Sequence, residues 1–113
     1  MKMTTENRVR TLLMKIGVDP SNQGYDYLVE AIKTCYENKK VLQLITKKLY
    51  PDIAKKFGTT PSRVERAMRH AVSRIDSVNP EGLSILPFAF SVNGTIPNSQ
   101  FIAVCVEFLK MHE

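Results

Sequence analysis

Apolar residues recur every three to four positions along most of this chain, which is the spacing of one face of an α-helix. Residues 5–16 show this spacing, and they are followed by Gly17, a residue type that commonly ends helices. Residues 24–37 and 41–49 repeat it, so each of the three segments is predicted to be a helix that buries one face. The apolar positions are Val9, Leu12, Leu13, Ile16, Tyr25, Leu28, Ile32, Cys35, Tyr36, Leu42, Ile45 and Leu49.

A proline interrupts this pattern after residue 49. Pro51 disfavours helical geometry at Tyr50 but suits the first turn of a helix, so a short helix is predicted over residues 51–57, ended by Gly58. Thr60 and Pro61 are then a natural N-cap and first residue for the next helix, predicted over residues 60–75. Its apolar side holds Val64, Ala67, Met68, Ala71, Val72 and Ile75, and its polar side holds Ser62, Arg63, Glu65, Arg66, Arg69, His70, Ser73 and Arg74.

Residues 77–98 are nearly uncharged and rich in proline and glycine. Asn79 and Pro80 predict the start of a short helix that reaches about Leu86. A tight-turn pair at residues 93–94 allows a small hairpin over residues 88–96. The apolar stretch at residues 83–90 is interpreted as a cover for the core, with a partner surface as the alternative.

The chain closes with a helical pattern over residues 98–111, whose inward positions are Phe101, Ile102, Cys105, Phe108 and Leu109. Together the segments predict an all-α fold, a small bundle of about five to six helices that forms a single domain over residues 1–113. No apolar run approaches the roughly 18 residues of a membrane span, and the N-terminus lacks a signal-peptide core. A cytoplasmic protein without membrane contact is therefore expected.

Enzyme chemistry finds no support in the sequence. Cys35 and Cys105 lack a CxxC partner, so both are expected to be small core residues in a reducing compartment. No nucleophile–histidine arrangement, paired carboxylates or glycine-rich phosphate loop is present. We therefore expect a protein that is not an enzyme and that has no cofactor and no metal.

Charge is distributed unevenly along the chain. The net charge is +5, yet residues 39–74 hold ten basic residues against two acidic ones. A basic middle third between mildly acidic ends is typical of a surface that meets a polyanion. The alternative is that these charges only solvate helix surfaces.

Residues 52–67 carry the features of a helix-turn-helix, predicted over about residues 51–75. Ala54 is small where two helices would approach, and Gly58, four positions later, tolerates the positive φ of a turn. Ile53, Phe57 and Val64 are expected to fasten the pair, which leaves the second helix free to enter the major groove of DNA. The alternative is a helical interaction module whose basic face binds an acidic protein partner.

The same residues resemble the C-terminal effector domain of the stage zero sporulation protein A family, response regulators that control entry into sporulation. The resemblance rests on YPDIAKKF at residues 50–57 and SRVERAMRHA at residues 62–71, with further similarity at residues 24–32 and 97–103. It implies an all-helical domain that binds double-stranded DNA at short boxes with a TGNCGAA-like core, usually arranged as a tandem pair.

Carried over by position, the resemblance assigns base reading to Arg63, Glu65 and Arg66. The chemistry agrees, because arginine reads guanine with two hydrogen bonds and a carboxylate accepts from the cytosine amino group. Phosphate contacts are expected from the residues that flank these positions, with a merely solvated imidazole as the alternative for the histidine. They are Lys55, Lys56, Thr60, Ser62, Arg69, His70 and Arg74.

The resemblance also has implications for assembly and partners. Full-length members carry an N-terminal receiver domain, which is not expected in this sequence. The family's contact with the sigma subunit of RNA polymerase lies near residues 77–94, where this sequence departs from the family pattern. Because no long apolar heptad seam is present, a monomer is expected in solution, pairing only on tandem boxes.

Overall fold

A computed structural model describes residues 3–78, 81–86, 88 and 96–113, with the backbone alone for residues 76–78. Over these residues it contains five α-helices and no β-strand. The helices are α1 (Thr5–Ile16), α2 (Gln23–Glu37), α3 (Tyr50–Phe57), α4 (Pro61–Val78) and α5 (Asn98–Met111). The predicted all-α class is confirmed.

Helix ends follow the local chemistry of the sequence. Gly17 adopts a left-handed conformation (φ 102°) at the end of α1, and its N–H bonds to the carbonyl of Leu13. Gly58 ends α3 in the same way, with φ 65°. At the start of α4, Thr60 Oγ1 accepts from the backbone N–H of Arg63 at 3.3 Å. The predicted ends at these three positions are confirmed.

The helix predicted over residues 41–49 is wrong. A 3₁₀ turn (Lys39–Gln43) and one π turn (Ile45–Leu49) occupy this stretch instead. The Asn38 side chain accepts from the N–H of Lys40 and starts the first turn, and Leu44 (φ −126°, ψ 30°) breaks the helical path between the two turns. The spacing of apolar residues at every third or fourth position therefore indicated which side of this segment is buried, but it did not determine which type of helical turn forms.

Tyr50 also departs from prediction, because it is helical (φ −60°, ψ −45°) and the π turn continues directly into α3. Its N–H bonds to the carbonyl of Ile45, five residues back. The conformational preference that Pro51 imposes on the preceding residue is modest, and burial of Tyr50, which is 8% exposed, outweighs it.

Two features near the C-terminal end differ from the predicted pattern. The stretch expected as a helix up to Leu86 forms only a 3₁₀ turn, Gly82–Ile85. In α5 the predicted inward residues are buried except Phe108, which is partly buried and lies beside His112, with ring centroids 4.2 Å apart and planes tilted at 45°. The predicted cap at Asn79 and Pro80 and the body of the predicted hairpin lie outside the described residues.

Helix α2 lies at the centre of the bundle, against α1, α4 and α5. It approaches α4 closely at Gly24, whose position leaves no space for a side chain beside Ala67 and Ala71. Cys35 and Cys105 are buried free thiols in this core, as predicted, and burial raises the pKa of Cys35 to about 11. One face of α4 is therefore packed against α2 in the core, and the opposite face of α4 is exposed to solvent.

Candidate nucleic-acid interface

Helices α3 and α4 are joined by the short turn of residues 58–60. The N–H of Thr59 bonds back to the Ala54 carbonyl at 2.9 Å, which closes the turn directly over the small residue. Ile53, Ala54 and Val64 are buried, as predicted. These contacts hold the start of α4 beside the end of α3.

Phe57 has a different role from the one predicted. Its side chain is 38% exposed, so it is not part of the buried contact between α3 and α4. Its ring packs edge-on against Tyr27 of α2, with centroids 5.2 Å apart and planes at 72°. Phe57 thus fastens α3 to α2, where the sequence pattern predicted a contact with α4.

The two predicted sides of α4 are separated as expected. Val64, Met68, Ala71, Val72 and Ile75 are at most 3% exposed. Ala67 is partly buried, at the crossing with α2. The polar positions are exposed except Glu65, which is intermediate. One long face of α4, beginning in its first turn, therefore presents mainly basic and hydroxyl side chains to solvent.

The three predicted base-reading residues lie within four consecutive positions of this face. Arg63 and Arg66 are exposed, and among the described residues neither forms an ion pair. Glu65 Oε1 lies 3.5 Å from Nε of Arg69, one turn further along α4. Glu65, a predicted base reader, is thus paired with Arg69, a predicted phosphate contact. Their i,i+4 spacing on one helix is the sequence feature that indicates such a pair.

The predicted phosphate contacts around α3 and the turn have different surroundings. Lys55 is exposed, whereas Nζ of Lys56 lies 2.8 Å from Glu30 Oε2 on α2. Thr60 caps α4, and its hydroxyl oxygen is 3.4 Å from that of Ser62. The side chain of Lys56 is therefore engaged within the protein, and that of Lys55 is the simpler candidate for a phosphate contact.

Further along α4, His70 and Arg74 are exposed at successive turns of the polar face. Arg74 lies within electrostatic range of Asp19, in the loop between α1 and α2. Hydrogen bonds from the backbone and side chain of Ser21 lower the pKa of Asp19, and the charge of Arg74 acts in the same direction. The positive charge of Arg74, towards the C-terminal end of this face, is thus partly balanced by the carboxylate of Asp19 from the loop between α1 and α2.

Two residues that matter for this surface were not identified from the sequence, Asn98 and its partner Tyr50. Asn98 is the first residue of α5 and is 7% exposed, and its Nδ2 donates to the Tyr50 hydroxyl and to the Glu65 carbonyl oxygen, both at 3.1 Å. The sequence feature that could have identified Asn98 is its spacing. It lies three and four positions before the inward residues Phe101 and Ile102, which places it on the buried face of α5.

Within the described residues, no group of three or more His, Cys, Asp or Glu side chains could hold a metal ion. None of the helices in the described part of the chain is long and apolar enough to cross a membrane. Comparison with known families gives one finding: a family model described as the sporulation initiation factor Spo0A C terminal matches residues 9–109.

Proposed function

This chain belongs to the family of the C-terminal domain of the sporulation initiation factor Spo0A, and from that membership we propose that α4 is a recognition helix that reads DNA in the major groove. The family is one of DNA-binding effector domains in the transcription control of sporulation. In the proposal, α3, the turn and α4 act as a helix-turn-helix, within one effector domain formed by residues 1–113.

The exposed face of α4 is the observation that carries this proposal. Arg63 and Arg66 are in its first two turns, exposed, and without an acidic partner among the described residues. In a helix-turn-helix, residues near the N-terminus of the second helix contact base edges. An arginine in such a position forms two hydrogen bonds with O6 and N7 of guanine, so both residues suit a site that contains guanine.

Glu65 fits the same proposal as the reader of a cytosine amino group. Its Oε1 lies 3.5 Å from Nε of Arg69, so the two side chains lie side by side on the polar face. Arg69 can then bind a phosphate with its remaining N–H donors, since a guanidinium carries five. A carboxylate would repel phosphate groups, so its presence on a basic face favours a role in base reading over phosphate binding.

Phosphate contacts are proposed for Lys55, Lys56, Arg69, His70 and Arg74, together with the hydroxyl groups of Thr60 and Ser62. These residues surround the reading positions on α3, the turn and α4. Phosphate contacts orient a protein on the duplex and carry no sequence information. We also propose a monomer in solution, because the sequence has no long apolar heptad seam. Pairing on tandem boxes and a contact with the sigma subunit of RNA polymerase are proposed from the family resemblance.

Selection from random double-stranded DNA tests the proposed function. The chain is expected to enrich a short motif that contains guanine and cytosine. Two copies should recur about 10 bp apart, because that spacing places two domains on one face of the duplex. Inserting half a helical turn between the copies should then weaken binding. A selected pool without any enriched motif would contradict sequence-specific binding.

Lys55 gives a test of the phosphate contacts. Lys55→Ala is expected to reduce the slope of log K against log salt by about 0.9, because one phosphate would no longer lose its counterion on binding. Lys15→Ala is the matched control, since it removes the same charge from an exposed position at the end of α1. Salt titrations of both variants measure the slopes. An unchanged slope for Lys55→Ala would show that this side chain only solvates α3.

A further inference from the structure

One buried amide connects helices α3, α4 and α5. The two hydrogens of Asn98 Nδ2 meet different acceptors, the hydroxyl of Tyr50 and the main-chain oxygen of Glu65. Tyr50 is the first residue of α3, and Glu65 lies in the second turn of α4. Asn98 thus connects the beginning of α5 to both helices of the proposed helix-turn-helix.

We propose that Asn98 is a positioning residue for DNA reading, which holds α4 in register with α3 without touching DNA itself. The inference rests on the proposed function of α4. The bond to α4 is made to the backbone of Glu65, which lies between Arg63 and Arg66. A shift of this backbone would therefore move all three proposed reading side chains together, and a base edge tolerates only small displacements of a hydrogen-bond donor.

A role in core packing alone does not account for Asn98. Its Oδ1 is buried and, among the described residues, has no hydrogen-bond partner. An unpaired buried acceptor carries a desolvation cost that an apolar side chain of similar size would avoid. Apolar contacts are non-directional, whereas an amide bonded to two acceptors constrains the distance and the angle to each. What asparagine adds at this position is therefore geometry rather than buried area.

The partner on α3 suits this role. Burial raises the pKa of Tyr50, which keeps the phenol neutral, and the hydrogen bond from Asn98 only partly opposes this rise. Tyr50 is 8% exposed, so water has little access to the bond. A hydrogen bond in such a poorly hydrated site keeps its directional effect, because little water competes for the donor.

The selectivity of DNA binding tests the proposal. Asn98→Ala, Tyr50→Phe and Ser99→Ala would each be measured against the selected box and a scrambled duplex of equal length. Partial unfolding lowers both affinities by the same factor and leaves their ratio unchanged, so the ratio separates positioning from stability. Asn98→Ala is expected to reduce the ratio about tenfold while the affinity for scrambled DNA, corrected for the folded fraction, stays constant. Tyr50→Phe should cause a smaller loss, and Ser99→Ala, at the exposed neighbouring position, none.

Each outcome decides between the two proposals. If the unaltered chain does not distinguish the box from the scrambled duplex, the proposed function fails and this inference fails with it. If the unaltered chain is selective and Asn98→Ala keeps the same ratio, only the positioning role is overturned. Circular dichroism reports whether Asn98→Ala folds. If it does not, Tyr50→Phe decides, and an unchanged ratio in that variant overturns the role.

Discussion

Gly24→Ala is expected to lower the free energy of unfolding by about 1–3 kcal/mol, although alanine is intrinsically the better helix former. A Cβ at Gly24 would overlap the main-chain carbonyl of Ala67 and lie 2.8 Å from the Cβ of Ala71. The obstacle on α4 is backbone, so it cannot rotate away as a flexible side chain would. Relief requires α2 and α4 to separate, which loosens the contact between two central helices.

Urea unfolding followed by circular dichroism measures this effect. Gln23→Ala is the control, because Gln23 is the exposed first residue of the same helix. Its change should stay within about 0.5 kcal/mol, as for most surface substitutions. A Gly24→Ala variant at least as stable as the unaltered chain would show that the two helices separate at little cost, contrary to the close packing seen here.

Arg63→Ala is expected to weaken binding to the selected DNA box by about 1–3 kcal/mol and to relax the preference at one guanine. The residue is exposed in the first turn of α4, three positions after the Thr60 cap. If Arg63 reads a guanine as proposed, its loss removes a two-bond contact to that base and leaves the other positions of the site with their own contacts. The reduction should therefore disappear on DNA that already lacks that guanine.

Affinities for the box and for each of its single-base variants measure the effect of Arg63. Lys15→Ala again serves as control, since it lowers the net charge equally at a site on α1. It should change all affinities slightly and alike. If Arg63→Ala also lowered the affinity for every sequence by one common factor, Arg63 would be a phosphate contact and its assignment as a base reader would be wrong.

The place of the proposed reading residues on the polar side of α4 could be predicted from the sequence, because it depends on local order along one helix; their reading role follows only from the family resemblance. A threonine followed by proline sets the start of α4, and apolar spacing then determines which positions remain outside. Arg63 and Arg66 are exposed as predicted. The ion pairs of the surface were not predicted. Lys56 meets Glu30, a residue 26 positions away, and no local pattern indicates such a distant partner.

What the sequence alone determined is therefore the all-α class, the C-terminal ends of α1 and α3, the start of α4, and the polar face of α4, whereas α4 itself runs to Val78, beyond the predicted residue 75. Each depends on residues within one or two turns of each other, where capping and periodicity act. Only the tertiary structure decided the turns at residues 39–49, the packing of Phe57 on Tyr27, the crossing at Gly24 and the bonds of Asn98. Asn98 lies 48 residues from Tyr50 and 33 from Glu65, so their contact depends on how whole helices pack. That packing is set by the shape of the shared core, and short-range sequence patterns do not contain it.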